Sequence, residues 1–97
     1  MTGQSRRILA TIAQELHVSE EDLLRQGLRS YLERQLRTVK AEIFEICGRY
    51  GVYSVDDMES RYRDGTLEEA ESWRDLQRLD QLEYKQDRLL ELLGTVS

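Results

Sequence analysis

Apolar residues recur at helical spacing along nearly the whole chain and predict amphipathic α-helices. The first predicted helix ends at His17 and Val18. The second begins after Ser19, whose hydroxyl can accept a hydrogen bond from a free backbone N–H of the first turn. It meets no strong stop signal before Gly51, a residue type that readily adopts the left-handed conformation that ends many helices. Proline, which interrupts helices, is absent.

Two further helices are predicted after this long one. Ser54 is the expected N-cap of a short third helix, which stops before Gly65. Thr66 is expected to cap the fourth helix, with Glu69 completing a capping box and Gly94 ending the helix. The predicted ranges are approximately 5–16, 20–50, 55–62 and 67–93.

The second helix carries a regular apolar seam that continues less strictly toward its N-terminus. A helix over residues 20–50 would be about 45 Å long, too long for its own short chain to cover completely. The fourth helix can fold back along the C-terminal half, and the remaining apolar positions then meet the first helix or a second copy. The residues predicted to support dimerisation are Leu24, Leu28, Tyr31, Leu32, Leu36, Val39, Ile43 and Ile46.

The predicted fold is therefore all-α, with four helices in one domain over residues 1–97. It is an elongated antiparallel helical hairpin with an N-terminal pair similar to a helix-turn-helix, and it is expected to form an intertwined homodimer. Residues 1–36 form the dimerising helical pair, and residues 37–97 form an acidic helical hairpin.

Charge is distributed unevenly along the chain, whose net charge is −5. Residues 1–40 hold 7 Lys or Arg against 5 Asp or Glu, whereas residues 41–97 hold 7 against 14. An acidic surface repels nucleic acid and favours a basic protein partner. No apolar run reaches the roughly 20 residues of a membrane span, and a single cysteine forms no internal disulfide. We therefore expect a cytoplasmic protein.

Residues suited to catalysis are few. His17 and Cys47 are the only residues of their types and lie in different predicted segments. The chain has no phosphate-binding glycine loop, HExxH or CxxC motif. We interpret His17 as a helix exit, Cys47 as a small buried residue, and the carboxylates at helix starts as partners of the helix dipole. The prediction is a protein without enzymatic activity, metal or cofactor.

Trp73 has two interpretations. It can pack in the core, or it can be an exposed anchor for a partner, because Trp and Tyr are enriched at interface hot spots. On the second interpretation, the predicted partner-binding residues are Trp73, Leu76, Leu79 and Tyr84.

Residues 8–32 read as a helix, a tight turn and a second helix, a pattern found in DNA-binding proteins. A recognition helix that opens with Glu20, Glu21 and Asp22 has the wrong charge to face phosphates. Residues 18–33, VSEEDLLRQGLRSYLE, resemble the second helix of ribbon–helix–helix antitoxins from prokaryotic toxin–antitoxin pairs.

This resemblance implies a dimer that binds DNA through a strand and neutralises a toxin protein. Residues 1–5 show no alternation of apolar and polar positions, so base reading by such a strand is not expected. Only Arg6 and Arg7 are candidates for nucleic-acid contacts, through phosphates. The predicted function is an antitoxin-like module that dimerises and binds a basic protein, such as a toxin, with its acidic half. The alternatives are a structural oligomerisation or adaptor protein and a DNA-binding transcriptional regulator.

Overall fold

Four α-helices make up the fold in the computed structural model, which describes residues 2–96. These are α1 (Gly3–Leu16), α2 (Glu20–Tyr50), α3 (Val55–Asp64) and α4 (Glu69–Val96). No strand occurs within residues 2–96. The predicted all-α class and the number of helices are confirmed.

Most helix boundaries follow from local capping chemistry. The hydroxyl of Ser19 accepts a hydrogen bond from the Asp22 N–H at 3.0 Å and so caps α2, and Ser54 caps α3 in the same way. His17 ends α1 in the left-handed conformation with φ 56°, and Gly51 ends α2 with φ 65°. The predicted helix starts and stops at these four residues are confirmed.

The start of α4 differs from the prediction. The helix begins at Glu69, and the Thr66 hydroxyl donates to Asp64 Oδ1 at 2.6 Å. The predicted capping box at Thr66 is therefore wrong, because Thr66 belongs to the turn that closes α3. The predicted stop at Gly94 is also wrong, since α4 continues to Val96. One glycine in the last turn costs only about 1 kcal/mol, which is too little to end a long helix by itself.

Helices α2 and α4 form the antiparallel hairpin. Arg49 Nη1 donates to Asp75 Oδ2 at 2.8 Å, and Arg78 Nη2 donates to Glu42 Oε1 at 3.0 Å. Residue numbers therefore rise along one helix as they fall along the other. The described chain measures 61 × 22 × 18 Å, with a radius of gyration of 19.7 Å, against about 13 Å for a compact domain of this length. The elongated shape is confirmed.

A single core fills the space between the C-terminal part of α2, α3 and α4. Met58 and Leu79 are both fully buried there. The side chains of this core are Leu36, Val39, Ile46, Cys47, Val52, Val55, Met58, Leu79, Leu82 and Leu89. Its buried side chains lie within residues 36–89, so α1 and the first part of α2 contribute none of them.

This core corrects part of the predicted dimerisation set. Leu36, Val39 and Ile46 are 3–8% exposed, and their apolar surface is covered by the same chain. Leu32 and Ile43 are partly buried against the same core. Leu36, Val39 and Ile46 are not available to a second copy, because α4 folds back along the half of α2 that carries them. The role of the partly buried Leu32 and Ile43 in dimerisation stays a prediction.

Residues 3–31, here called the N-terminal arm, comprise α1 and the first part of α2. The two helices contact each other. Ala13 is the only side chain of this arm that is buried. The arm therefore lies outside the core and leaves most of its apolar side chains open.

Candidate protein-interaction surfaces

Exposed apolar side chains concentrate on the N-terminal arm. Among the described residues, twelve large apolar side chains are exposed, and seven of them lie in the arm. Those seven are Ile8, Ile12, Leu16, Val18, Leu24, Leu28 and Tyr31. Single exposed apolar residues are ordinary, whereas a cluster of this size commonly marks a site of interaction.

The arm contains an open groove of about 390 Å³ between α1 and α2. Apart from Ser5, it is lined by apolar residues: Ile8, Leu9, Ile12, Leu23, Leu24, Gly27 and Leu28. A Cβ placed on Gly27 would meet no atom within 4 Å. Of the predicted dimerisation residues, Leu24, Leu28 and Tyr31 lie on this arm and are 42–58% exposed. Their role in dimerisation stays a prediction.

A second groove, here called the Phe44 groove, lies where α2 turns into α3 and has a volume of about 490 Å³. Two of its side chains are the most exposed large apolar residues described, Phe44 at 80% and Tyr53 at 89%. Its lining consists of Lys40, Ile43, Phe44, Cys47, Gly48, Gly51, Val52, Tyr53 and Gln86.

Sequence reasoning missed this groove. Phe44 directly follows Ile43, a residue of the apolar seam, so the sequence suggests that Phe44 widens this seam. In the structure α4 covers the other side of α2 and leaves Phe44 exposed. The signal that could have found it is the spacing of Phe44 and Gly48, four residues apart and therefore on one helix face. Tyr53 joins them only because the turn after α2 brings it back.

Two carboxylates lie close to the Phe44 groove and are held by backbone N–H groups. Glu83 Oε2 accepts a hydrogen bond from Val55 N at 3.0 Å, and Asp57 Oδ2 accepts one from Tyr53 N at 2.9 Å. Burial raises the pKa of the Cys47 thiol, and the negative charges of Glu83 and Asp57 raise that pKa further. Both carboxylates therefore act electrostatically on the thiol of Cys47, which lines the groove.

The predicted partner-binding residues on α4 are divided by the fold. Leu79 is 0% exposed, so it cannot bind a partner directly and its assignment is corrected. Leu76 packs against the core but is only partly buried, and its role in partner binding stays a prediction. Both positions face α2 along the hairpin. Trp73 is 44% exposed and Tyr84 is 73% exposed. The predicted role of these two aromatic residues in partner binding remains untested.

A polar cluster joins α2 to α4 beside the core. Asp75 accepts hydrogen bonds from the Tyr50 hydroxyl and the Arg49 guanidinium. The Tyr50 hydrogen bond, and then Arg49, hold the pKa of Asp75 below its usual value. The same hydrogen bond to Asp75 raises the pKa of Tyr50. Each charge or hydroxyl in this cluster has a partner, so its chemistry is that of a structural link.

The remaining candidate residues from the sequence do not form a common site. His17 ends α1, as predicted, and Cys47 is a buried free thiol. Arg6 and Arg7 are exposed on α1, where their predicted phosphate contacts remain untested. Within residues 2–96 no group of three or more His, Cys, Asp or Glu side chains is arranged to hold a metal ion. None of the helices described there has the length and apolar character needed to cross a bilayer.

Comparison of the chain with curated proteins and with solved structures gave no match. A family model described as "Uncharacterized protein MJ0235 family" matches residues 1–97, which is the full length of the sequence. The chain therefore belongs to the uncharacterized protein MJ0235 family.

Proposed function

We propose that this protein is a helical protein-binding module, which dimerises through its N-terminal arm and binds a basic protein with its acidic body. The observation that carries the proposal is the arm itself. Seven large apolar side chains are exposed on two helices and the turn between them, and this arm buries only Ala13. Isolated short helices are marginally stable in water, so packing of their apolar faces must supply most of the stability.

A second copy is the simplest cover for the arm. Two α1–α2 arms packed face to face would form a four-helix bundle, in which each apolar groove covers the other. Such a contact uses the same surface on both copies and closes as a two-fold dimer. Burial of these side chains would contribute roughly 25 cal/mol for each Å² of apolar surface removed from water.

Charge supports different partners for the arm and for the rest of the chain. Residues 1–31 carry 4 basic and 4 acidic side chains, so two arms can approach without net repulsion. Residues 32–97, here called the acidic body, carry 10 basic and 15 acidic side chains. A body with this charge repels a second copy of itself and attracts a basic protein.

The resemblance of residues 18–33 to ribbon–helix–helix antitoxins suggests one kind of basic partner, a toxin protein. The acidic body supports that antitoxin-like role. A DNA-binding role has less support, since residues 2–96 contain no strand that could enter a groove and the chain is acidic overall. If the partner were the product of an adjacent gene, the two proteins should copurify and the chain should neutralise the partner's activity.

Dimerisation can be tested by light scattering coupled to gel filtration at micromolar concentration. The expected mass is twice the 11.4 kDa of one chain. The double variant Leu24→Glu with Leu28→Glu should give the monomer mass, because each carboxylate would be buried in the dimer without a partner. Tyr84→Glu, an exposed substitution on α4, is the control and should stay dimeric. A monomeric wild-type chain at these concentrations would refute the proposed dimer.

A further inference from the structure

We propose that the Phe44 groove is the docking site for the apolar face of a basic amphipathic helix from a partner protein. This inference deepens the proposed function, on which it rests, by placing the partner on a defined part of the acidic body. It assigns the site to the junction of α2 and α3.

The shape of the groove suits a helix face. Phe44 on α2 and Tyr53 in the following turn are 80% and 89% exposed, so their rings are free to contact a ligand. Between them the groove is lined by Cys47, Gly48 and Val52. Large aromatic side chains around an apolar floor are typical of interface hot spots. Insertion of apolar side chains from a helix into such a groove is a common mode of recognition.

Gly48 supports the interpretation of the groove as a binding site. It lies inside α2, where glycine is less favourable than alanine. A Cβ at this position would meet no atom within 4 Å, so packing within its own chain does not require glycine. The missing side chain instead keeps the floor of the groove open and allows another helix to approach the backbone of α2 closely.

Charge selects the kind of partner. Lys40 is the only charged residue that lines the groove, and Asp57 accepts a hydrogen bond from the backbone N–H of its lining residue Tyr53. The carboxylates of Glu83 and Asp57 both contribute to the raised pKa of the Cys47 thiol. The surrounding acidic body has 15 acidic against 10 basic side chains. Basic residues flanking an apolar face would therefore be attracted, whereas a second acidic body would be repelled.

The contrast with the N-terminal arm strengthens this choice. Both grooves are apolar, and each is lined by a glycine from inside α2, Gly27 in the arm and Gly48 in the body. The arm has equal numbers of basic and acidic residues, whereas the body is acidic. The same kind of groove therefore favours self-association at one end of the protein and a basic partner at the other.

Two model peptides of 18 residues can test the proposal with the full chain. Both have the same leucine face, and their polar positions are all lysine in one and all glutamate in the other. Binding is measured by calorimetry, and the site is located by amide chemical-shift changes. We expect the lysine peptide to bind at least 10-fold more tightly than the glutamate peptide and to shift signals from residues 40–53.

Four variants separate the groove from general charge attraction. Phe44→Ala and Gly48→Leu should each weaken binding of the lysine peptide by 10-fold or more, since the first removes a wall and the second fills the floor. Leu90→Ala removes an exposed apolar side chain of α4 outside the groove and should change binding by less than 2-fold. Lys40→Glu should strengthen binding of the lysine peptide by 2-fold to 5-fold. Circular dichroism of each variant checks that the helices remain intact.

Each alternative outcome overturns the proposal. These outcomes are equal binding of both peptides, absence of binding, shifts confined to the arm, or the same effect for Phe44→Ala and Leu90→Ala. Loss of dimerisation in Phe44→Ala would assign the groove to a second copy instead. The variant with Leu24→Glu and Leu28→Glu separates the two proposals, because it should lose the dimer and still bind the lysine peptide. A wild-type monomer that binds the peptide would refute the dimer and leave the docking site standing.

Discussion

Substitution of Gly48 by alanine should stabilise the fold, because this glycine lies inside a long helix. Alanine is more favourable than glycine in a helix interior by about 0.5–1 kcal/mol. The added Cβ would meet no atom within 4 Å, so no steric cost offsets this gain. Unfolding entropy of about 2.1 cal/mol/K per residue gives about 0.2 kcal/mol/K for this chain, so the melting temperature should rise by about 2–5 °C.

Thermal unfolding followed by circular dichroism at 222 nm measures this shift. All proteins must be compared at one concentration, because the stability of a dimer depends on concentration. Gly51→Ala is the matched contrast three residues away. Gly51 has φ 65°, a conformation that alanine adopts only at a cost of roughly 1–2 kcal/mol, so this variant should melt at a lower temperature than wild type.

A fall in melting temperature for Gly48→Ala would refute the reasoning. It would mean that the side of α2 carrying Gly48 packs closely within its own chain or dimer, so the floor of the Phe44 groove would not be open. If stability rises and binding of the lysine peptide is unchanged, the groove has room for the peptide beside one added methyl group. The larger Gly48→Leu substitution then decides whether the floor is used.

Three further predictions concern the stability of the fold. His17→Gly should raise the free energy of unfolding by up to about 1 kcal/mol in urea titrations, since glycine adopts φ 56° without strain. Leu79→Ala should lower it by about 2–5 kcal/mol, because Leu79 is fully buried, and an unchanged value would contradict the proposed packing. The folded-state pKa of Asp75 is lowered, so its contribution to stability is present above its unfolded-state pKa near 3.9 and is lost as pH falls through the lower folded value. Asp75→Asn should therefore lose less stability than wild type between pH 5 and 2.5.

The sequence predicts which residues are apolar and share a helix face, but it does not decide which of them are buried. Apolar periodicity identifies which side chains seek burial, but it does not say which neighbour covers them. Leu79 and Leu28 follow the same helical pattern, yet the first is fully buried and the second is 48% exposed. The difference depends on where α4 folds back along α2, a long-range relation between distant segments.

The amino-acid sequence by itself determined the helices, because their causes are local. Ser19 and Ser54 start helices with their own hydroxyls, and His17 and Gly51 end them by adopting positive φ. The length of α2 also follows from the sequence, since no residue before Gly51 is strong enough to stop it.

Only the tertiary structure decided which apolar surfaces are filled and which remain open. The turn after Asp64 directs α4 along the C-terminal half of α2, so the core forms there and the N-terminal arm keeps its exposed side chains. The turn after Gly51 brings Tyr53 beside Phe44 and creates a groove that no local pattern specifies. These features arise from contacts between segments far apart in the chain, whose free energies depend on the geometry of the whole fold.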